Sequence, residues 1–204
     1  MVAARSWKLT NMRVLKLTFI FLFAVSLLSC QPPYEWHGSD VSGMLPDLDF
    51  NLTGPDGDSV EAHSLRGKPV LVFFGFTSCP DVCPTTMTQL SVVMKKLGAQ
   101  ADEVQVLLVS VDPGRDTPEV MKSYTASFGP WFLGLTGSED ALATMRKAYG
   151  VYAAMESSDS KGTYNVMHNA AVFAFDASGN ARLLFSDVSD SDAVASDISQ
   201  LIDQ

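Results

Sequence analysis

Residues 70–76 read VLVFFGF, without one polar side chain, and run straight into TSCPDVCPTT over residues 77–86. A strand with one wet face alternates apolar and polar residues, so an unbroken apolar run rich in valine and phenylalanine predicts a central strand buried on both faces. Pro84 suits the first turn of the helix that follows. Cys79 and Cys83, four apart, are thereby set on the loop and helix start at one end of a sheet, close enough for a disulfide or for shared metal coordination. A bridge closing so short a loop removes little unfolded-chain entropy, which favours a working dithiol over a stabilising staple. The free N–H groups of a helix start favour thiolate over thiol, and Asp81 opposes them.

The remaining pattern supplies the rest of the layers. Leu48, Phe50 and Leu52 alternate with polar residues, GPDGD over 54–58 makes a turn, and Val60 starts a return strand, predicting an N-terminal hairpin. Met87, Leu90, Met94 and Leu97 recur at helical spacing, with Gly98 as a terminator. VQVLLVSV over 104–111 is a second buried strand, and DTPE over 116–119 opens a helix capped by Asp116 or Thr117 and running to Phe128. A short strand over 131–135, a helix from Ser138 to Tyr149, extended chain over 151–155, a hairpin of 171–175 with 182–185, and a terminal helix carrying Val194, Ile198, Leu201 and Ile202 complete the series. The order predicts an α/β fold: a three-layer sandwich with helices on both faces of a central mixed sheet. By analogy it looks thioredoxin-like, and that fold alone leaves reductase, peroxidase and chaperone open.

Composition narrows the classes. The 204 residues are 47% hydrophobic, include 12 Phe, and carry a formal charge of −9 with only 14 Lys+Arg. Such a chain has ample apolar surface to fold and no clustered basic surface for nucleic acid. Residues 17–28 are apolar apart from Thr18 and Ser26 and follow Arg5, Lys8, Arg13 and Lys16. That run is too short to span a bilayer comfortably and fits the core of an export signal over residues 1–29. Its end, LLSC, resembles a bacterial lipoprotein processing site, with Cys30 as the lipidated first mature residue; Met12 is an alternative start. Removing the 29-residue leader with its four basic residues leaves 175 residues and moves the formal charge from −9 to −13. Residues 30–45, with Pro32, Pro33, two glycines and two serines, read as a flexible tether ahead of one domain over 46–204. The chain is thus expected to be an exported, membrane-anchored lipoprotein facing the periplasm or another extracytoplasmic space.

Two cysteine thiolates are soft donors that select Cu(I) or zinc over magnesium, calcium or manganese. Structural zinc takes four protein ligands, whereas the chain offers two local cysteines and at most one histidine. Of His37, His63 and His168, His168 stands just ahead of an apolar strand, and in a thioredoxin-like sheet the loop before that strand lies against the cysteine loop; Met167 beside it could add a thioether, although Met more often packs. Asp112 and Pro113 form a turn after the second buried strand, and Asp112 is a candidate to orient a ligand or to dock a partner.

The segments FTSCPDVCPTT over 76–86 and VSVDPGRDTPE over 109–119, followed by Tyr164 and His168 in that order and separation, resemble the Sco/SenC copper chaperones of respiratory oxidase assembly. The resemblance covers nearly all of residues 44–204. It implies a thioredoxin-like fold, copper as Cu(I) or Cu(II) held by Cys79, Cys83 and His168, and a Cys79–Cys83 pair that cycles between dithiol and disulfide. It also implies cytochrome c oxidase subunit II as partner, its copper A centre being matured, with other exported copper chaperones or thiol reductases as further partners. Met167 and Asn169 stand where the family commonly has an acidic residue and a serine. The rival readings are an exported thiol-disulfide oxidoreductase without obligatory copper and, third, a thiol peroxidase suggested by Thr77 two residues before Cys79. Against the first, the cysteine spacing is one longer than Cys-x-x-Cys and no proline follows Pro130.

Overall fold

Gly75 and Phe74 end the central strand with opposite surroundings, and that parity sets the layers of the domain. In the computed structural model, which describes residues 34–157, 164–168 and 171–204, the strands are β1 (Ser39–Asp40), β2 (Asn51–Thr53), β3 (Ser59–Glu61), β4 (Val70–Gly75), β5 (Gln105–Ser110), β6 (Phe132–Leu135), β7 (Ala153–Ser157), β8 (Tyr164–His168), β9 (Val172–Phe175) and β10 (Ala181–Phe185). The helices are α1 (Val82–Leu97), α2 (Pro118–Ala126), α3 (Glu139–Ala148) and α4 (Ser191–Ile202). Six strands form one sheet in the order β1-β10-β9-β4-β5-β6. β4, β5 and β6 are parallel, while β9 runs antiparallel to β4, β10 to β9 and β1 to β10. Every residue of β4 is buried, as its unbroken apolar run requires.

Side chains alternate between faces along a strand. Phe74 packs with Tyr149 at the end of α3, ring centroids 6.3 Å apart, and Tyr149 also meets Phe173 at 5.7 Å and Phe175 at 5.5 Å. Gly75, one residue on, faces Cys83 of α1. α3 and α1 therefore cover opposite faces of the sheet. α4 packs beside α1, and α2 packs on β6. Thr117 and Ser138 cap α2 and α3, accepting from the N–H groups of Val120 and Ala141. The cap of α2 is thus Thr117 and not Asp116, and the helix ends at Ala126, two residues short of the predicted Phe128. The predicted N-terminal hairpin is the pair β2 and β3, with Leu48, Phe50 and Leu52 all buried.

The N-terminal boundary needs correction. The predicted tether over 30–45 is part of the fold from Trp36 onward, and the compact unit spans Trp36–Gln204 rather than 46–204. β1 pairs with β10, Ser39 opposite Leu184, and Val41 is buried. The fully buried carboxylate of Asp197 in α4 accepts from the backbone N–H of His37 (3.0 Å) and of Gly38 (2.8 Å), and His37 Nδ1 lies 3.0 Å from it. Those bonds fasten a segment whose Gly and Ser content reads as loose. The leader and Cys30 lie outside the described residues, and among the described residues no helix is long and apolar enough to cross a membrane.

Candidate metal centre

The chain leaves β4 through the buried Phe76 into the cysteine loop, and the loop's shape is imposed from the next strand. Val111 N–H donates to Gly75 O at 2.9 Å, continuing the β4–β5 pairing one step. Beyond it the backbone of Thr77 would be left without a strand partner; its N–H donates instead to Asp116 Oδ1 at 3.2 Å and its hydroxyl to the same oxygen at 2.6 Å. Ser110 Oγ donates to the other carboxylate oxygen at 2.7 Å and itself accepts from Asp112 N–H at 2.9 Å. Asp116 is fully buried. Burial raises its pKa above the ordinary carboxylate range, against the lowering effect of the Thr77 and Ser110 hydrogen bonds.

Asp112 lies in the turn that precedes Asp116. It is fully buried and paired with Arg115 Nε, its carbonyl accepts from the N–H of Arg115 and Asp116, and the Arg115 guanidinium lies 5.6 Å from the ring centre of Phe76. These contacts tie Asp112 to Arg115 and the 112–116 turn, while Asp116 bonds the cysteine loop itself. Asp before Thr-Pro-Glu has the local signature of a helix cap, which is how Asp116 reads in the sequence. No local pattern announces a carboxylate that reaches back 39 residues.

The two sulfurs occupy unequal sites. Cys79 is half-buried and Cys83 fully buried, and no disulfide joins them. Cys79 N–H donates to Phe76 O at 3.3 Å, and its Sγ accepts from the backbone N–H of Cys83 at 3.4 Å. The helix N-terminus thus serves the sulfur of Cys79. Cys83 lies against the β4 backbone: a methyl group at Gly75 would come within 3.1 Å of its Sγ. Burial pushes the Cys83 thiol well above the ordinary range, the reverse of the lowering expected from the helix start alone.

His168 closes β8, opposite Ala153 of β7. β9 follows with Val172 opposite Phe73, so the chain from β8 enters the sheet at the end where β4 departs towards Cys79. The side chains of His168 and Met167 fall outside the described residues. Among the described residues no group of three His, Cys, Asp or Glu side chains is gathered for one ion. The donor pair that is described, two thiols without a hard oxygen ligand, fits a soft ion. His37 is paired with Asp197 and His63 with Glu61 Oε2 at 2.9 Å, so neither contributes to this end of the sheet.

Residues 44–203 match the SCO1/SenC family. The chain belongs to that family. A SCO2-like protein of Rickettsia felis is 34% identical over 132 residues, 64% of this chain, and the match spans 64% of that relative's length. ScoI of Bradyrhizobium japonicum with copper bound superposes at TM-score 0.69 with 37% identity, over 76% of this chain and 98% of that one. Apo Sco1 from Thermus thermophilus superposes at 0.74 with 37% identity, over 84% and 99%. The fold of this Sco-family chain is therefore the thioredoxin-like sandwich that its element order predicts.

Proposed function

We propose that this chain is an exported, lipid-anchored copper chaperone that carries copper on Cys79, Cys83 and His168. In this reading it delivers the ion to the copper A centre of cytochrome c oxidase subunit II, or keeps that centre's cysteines reduced. The observation that carries the proposal is the unequal pair of soft thiols at the sheet end that β9 also enters, in a chain matching the SCO1/SenC family over residues 44–203. Copper is cargo here: two thiolates and an imidazole satisfy Cu(I) without the fourth ligand structural zinc takes, and few ligands leave it transferable. The burial of Cys83 withholds one sulfur from solvent, while the exposure of Cys79 leaves an approach for a partner. Residues 1–29 act as the leader and Cys30 as the lipid-bearing residue, and only Cys30 to Glu35 then separate lipid from fold.

The same asymmetry favours thiol-disulfide exchange as a second reading. Cys79 thiolate attacks a partner disulfide, forming a mixed disulfide and releasing one partner thiolate. Cys83, on losing its proton to solvent, attacks Cys79 Sγ, closes the Cys79–Cys83 disulfide and releases the second partner thiolate. Two electrons pass from the pair to the partner. The readings separate in a gene deletion: loss of copper A oxidase activity restored by added copper supports delivery, loss restored only by a thiol reductant supports reduction, and unchanged oxidase activity contradicts both.

A further inference from the structure

On the α3 side of the sheet, across from Cys83, the fold holds a groove that the chemistry of the thiols does not use. It lies between α3 and the segment from Pro46 to Asn51 and encloses about 570 Å³. That segment and its continuation are pinned at both ends. Thr53 and Thr136 exchange backbone hydrogen bonds at 2.7 and 3.0 Å, and Tyr149 Oη donates to Asp47 O at 2.9 Å. Between the pins, α3 turns the short side chains of Ala141, Thr144 and Ala148 to the groove, and they leave it unfilled. A groove fixed in this way takes a ligand without first paying to order its own walls.

The lining has two characters. Phe50, Met145 and Tyr149, all buried, give it an apolar floor, and the exposed residues Asp47, Asp49 and Asp140 stand around it. No lysine, arginine or histidine lines it, and among the described residues none of the three carboxylates is ion-paired. The floor selects an apolar side chain, and the acidic rim selects positive charge around that side chain. A metal ion is the wrong occupant, because among the described residues no three His, Cys, Asp or Glu side chains are gathered for one ion. Carboxylates spread in this way suit several cations carried on one chain. A second copy is also the wrong occupant, since a chain of formal charge −9 brings its own repulsion.

We propose that this groove docks a basic segment of a partner protein, an apolar side chain seated on Phe50, Met145 and Tyr149 and lysine or arginine side chains paired with Asp47, Asp49 and Asp140. The groove is built on α3, whose Tyr149 meets Phe74, whereas Cys83 on α1 meets Gly75 on the other face of the sheet. A partner held in the groove therefore leaves the Cys79 sulfur open to exchange. The inference stands on the groove and does not depend on the copper reading.

A displayed library of random peptides, selected on the full chain, tests it. The selected peptides are expected to carry Lys or Arg on both sides of an apolar residue, and a synthetic copy of one binds more weakly as salt is raised. In Asp47→Asn/Asp49→Asn/Asp140→Asn the affinity for that copy falls about tenfold or more. Glu103→Gln/Asp192→Asn/Asp203→Asn removes the same charge elsewhere and leaves the affinity within about twofold. Thr144→Trp fills the groove and weakens binding comparably at an unchanged melting temperature; Ala148→Leu serves if that variant unfolds. Labelling of Cys79 by a thiol reagent keeps its rate with peptide bound. Equal losses in the two charge variants would reduce the effect to net charge and overturn the proposal. Selected peptides without basic residues, binding that the filling variants leave intact, or protection of Cys79 by the peptide overturn it as well. Peptide binding is read without copper, so failure of the copper reading leaves this result standing.

Discussion

The cysteine loop after β4 and the segment leading into β1 are both irregular backbone, and each is fastened by one fully buried aspartate. Asp197 holds the N-terminal segment through the backbone N–H groups of His37 and Gly38. Asp116 holds the cysteine loop through Thr77, and takes a further bond from Ser110. The first carboxylate takes the backbone and imidazole contacts that close an edge of the fold. The second stands beside two thiols, one of them buried, and its own pKa is raised by burial. One device serves two ends: at β1 it secures the fold, and at β4 it sets the geometry of a site.

Substitutions should separate the two anchors. Asp116→Ala removes the acceptor that shapes the loop, and Cu(I) affinity is expected to fall about 10- to 100-fold, as when a hydrogen-bond support of a metal ligand is lost. Asp197→Ala leaves the N–H groups of His37 and Gly38 without their acceptor, and is expected to cost about 2 kcal/mol in denaturant unfolding while copper affinity stays at the wild-type value. Copper binding weakened equally by both would erase the distinction.

The acid–base behaviour sharpens it further. Loading must displace the proton of Cys83, whose thiol stands above the ordinary range, so Cu(I) affinity should rise with pH by about tenfold per unit for each proton released. In the apo domain the same shift has the opposite sense. The folded pKa lies above the unfolded value of about 8.5, so its stabilising contribution is complete below that pH and lost as pH rises towards the folded value. Titrations of copper affinity and of unfolding free energy against pH check both slopes. The smallest effect belongs to His37→Ala. The imidazole is half-exposed and the backbone bonds to Asp197 survive, so unfolding should change by about 0.5 kcal/mol or less, without change in copper affinity.

The contrast also explains what could be read from the chain beforehand. The run from Val70 declares a doubly buried strand because burial on both faces leaves a local mark, and Ser138 and Thr117 announce their helices because capping is local. The cysteine spacing and the motif over 109–119 carry the family resemblance, and the match over 44–203 bears that out. Both aspartate anchors escaped for a shared reason. Asp197 acts across 160 residues and Asp116 across 39, through bonds to backbone that no periodicity encodes. β1 is only two residues, both exposed, so it has no alternation to reveal it.

The central claim is that Cys79, Cys83 and His168 together hold copper. X-ray absorption at the copper edge of the reduced, Cu(I)-loaded full chain tests it most directly, with His168→Ala measured alongside. The account predicts two sulfurs and one imidazole nitrogen around the metal in the wild type, and loss of the nitrogen with retention of both sulfurs in the variant. A wild-type spectrum with a single sulfur, or one that His168→Ala leaves unchanged, would contradict it.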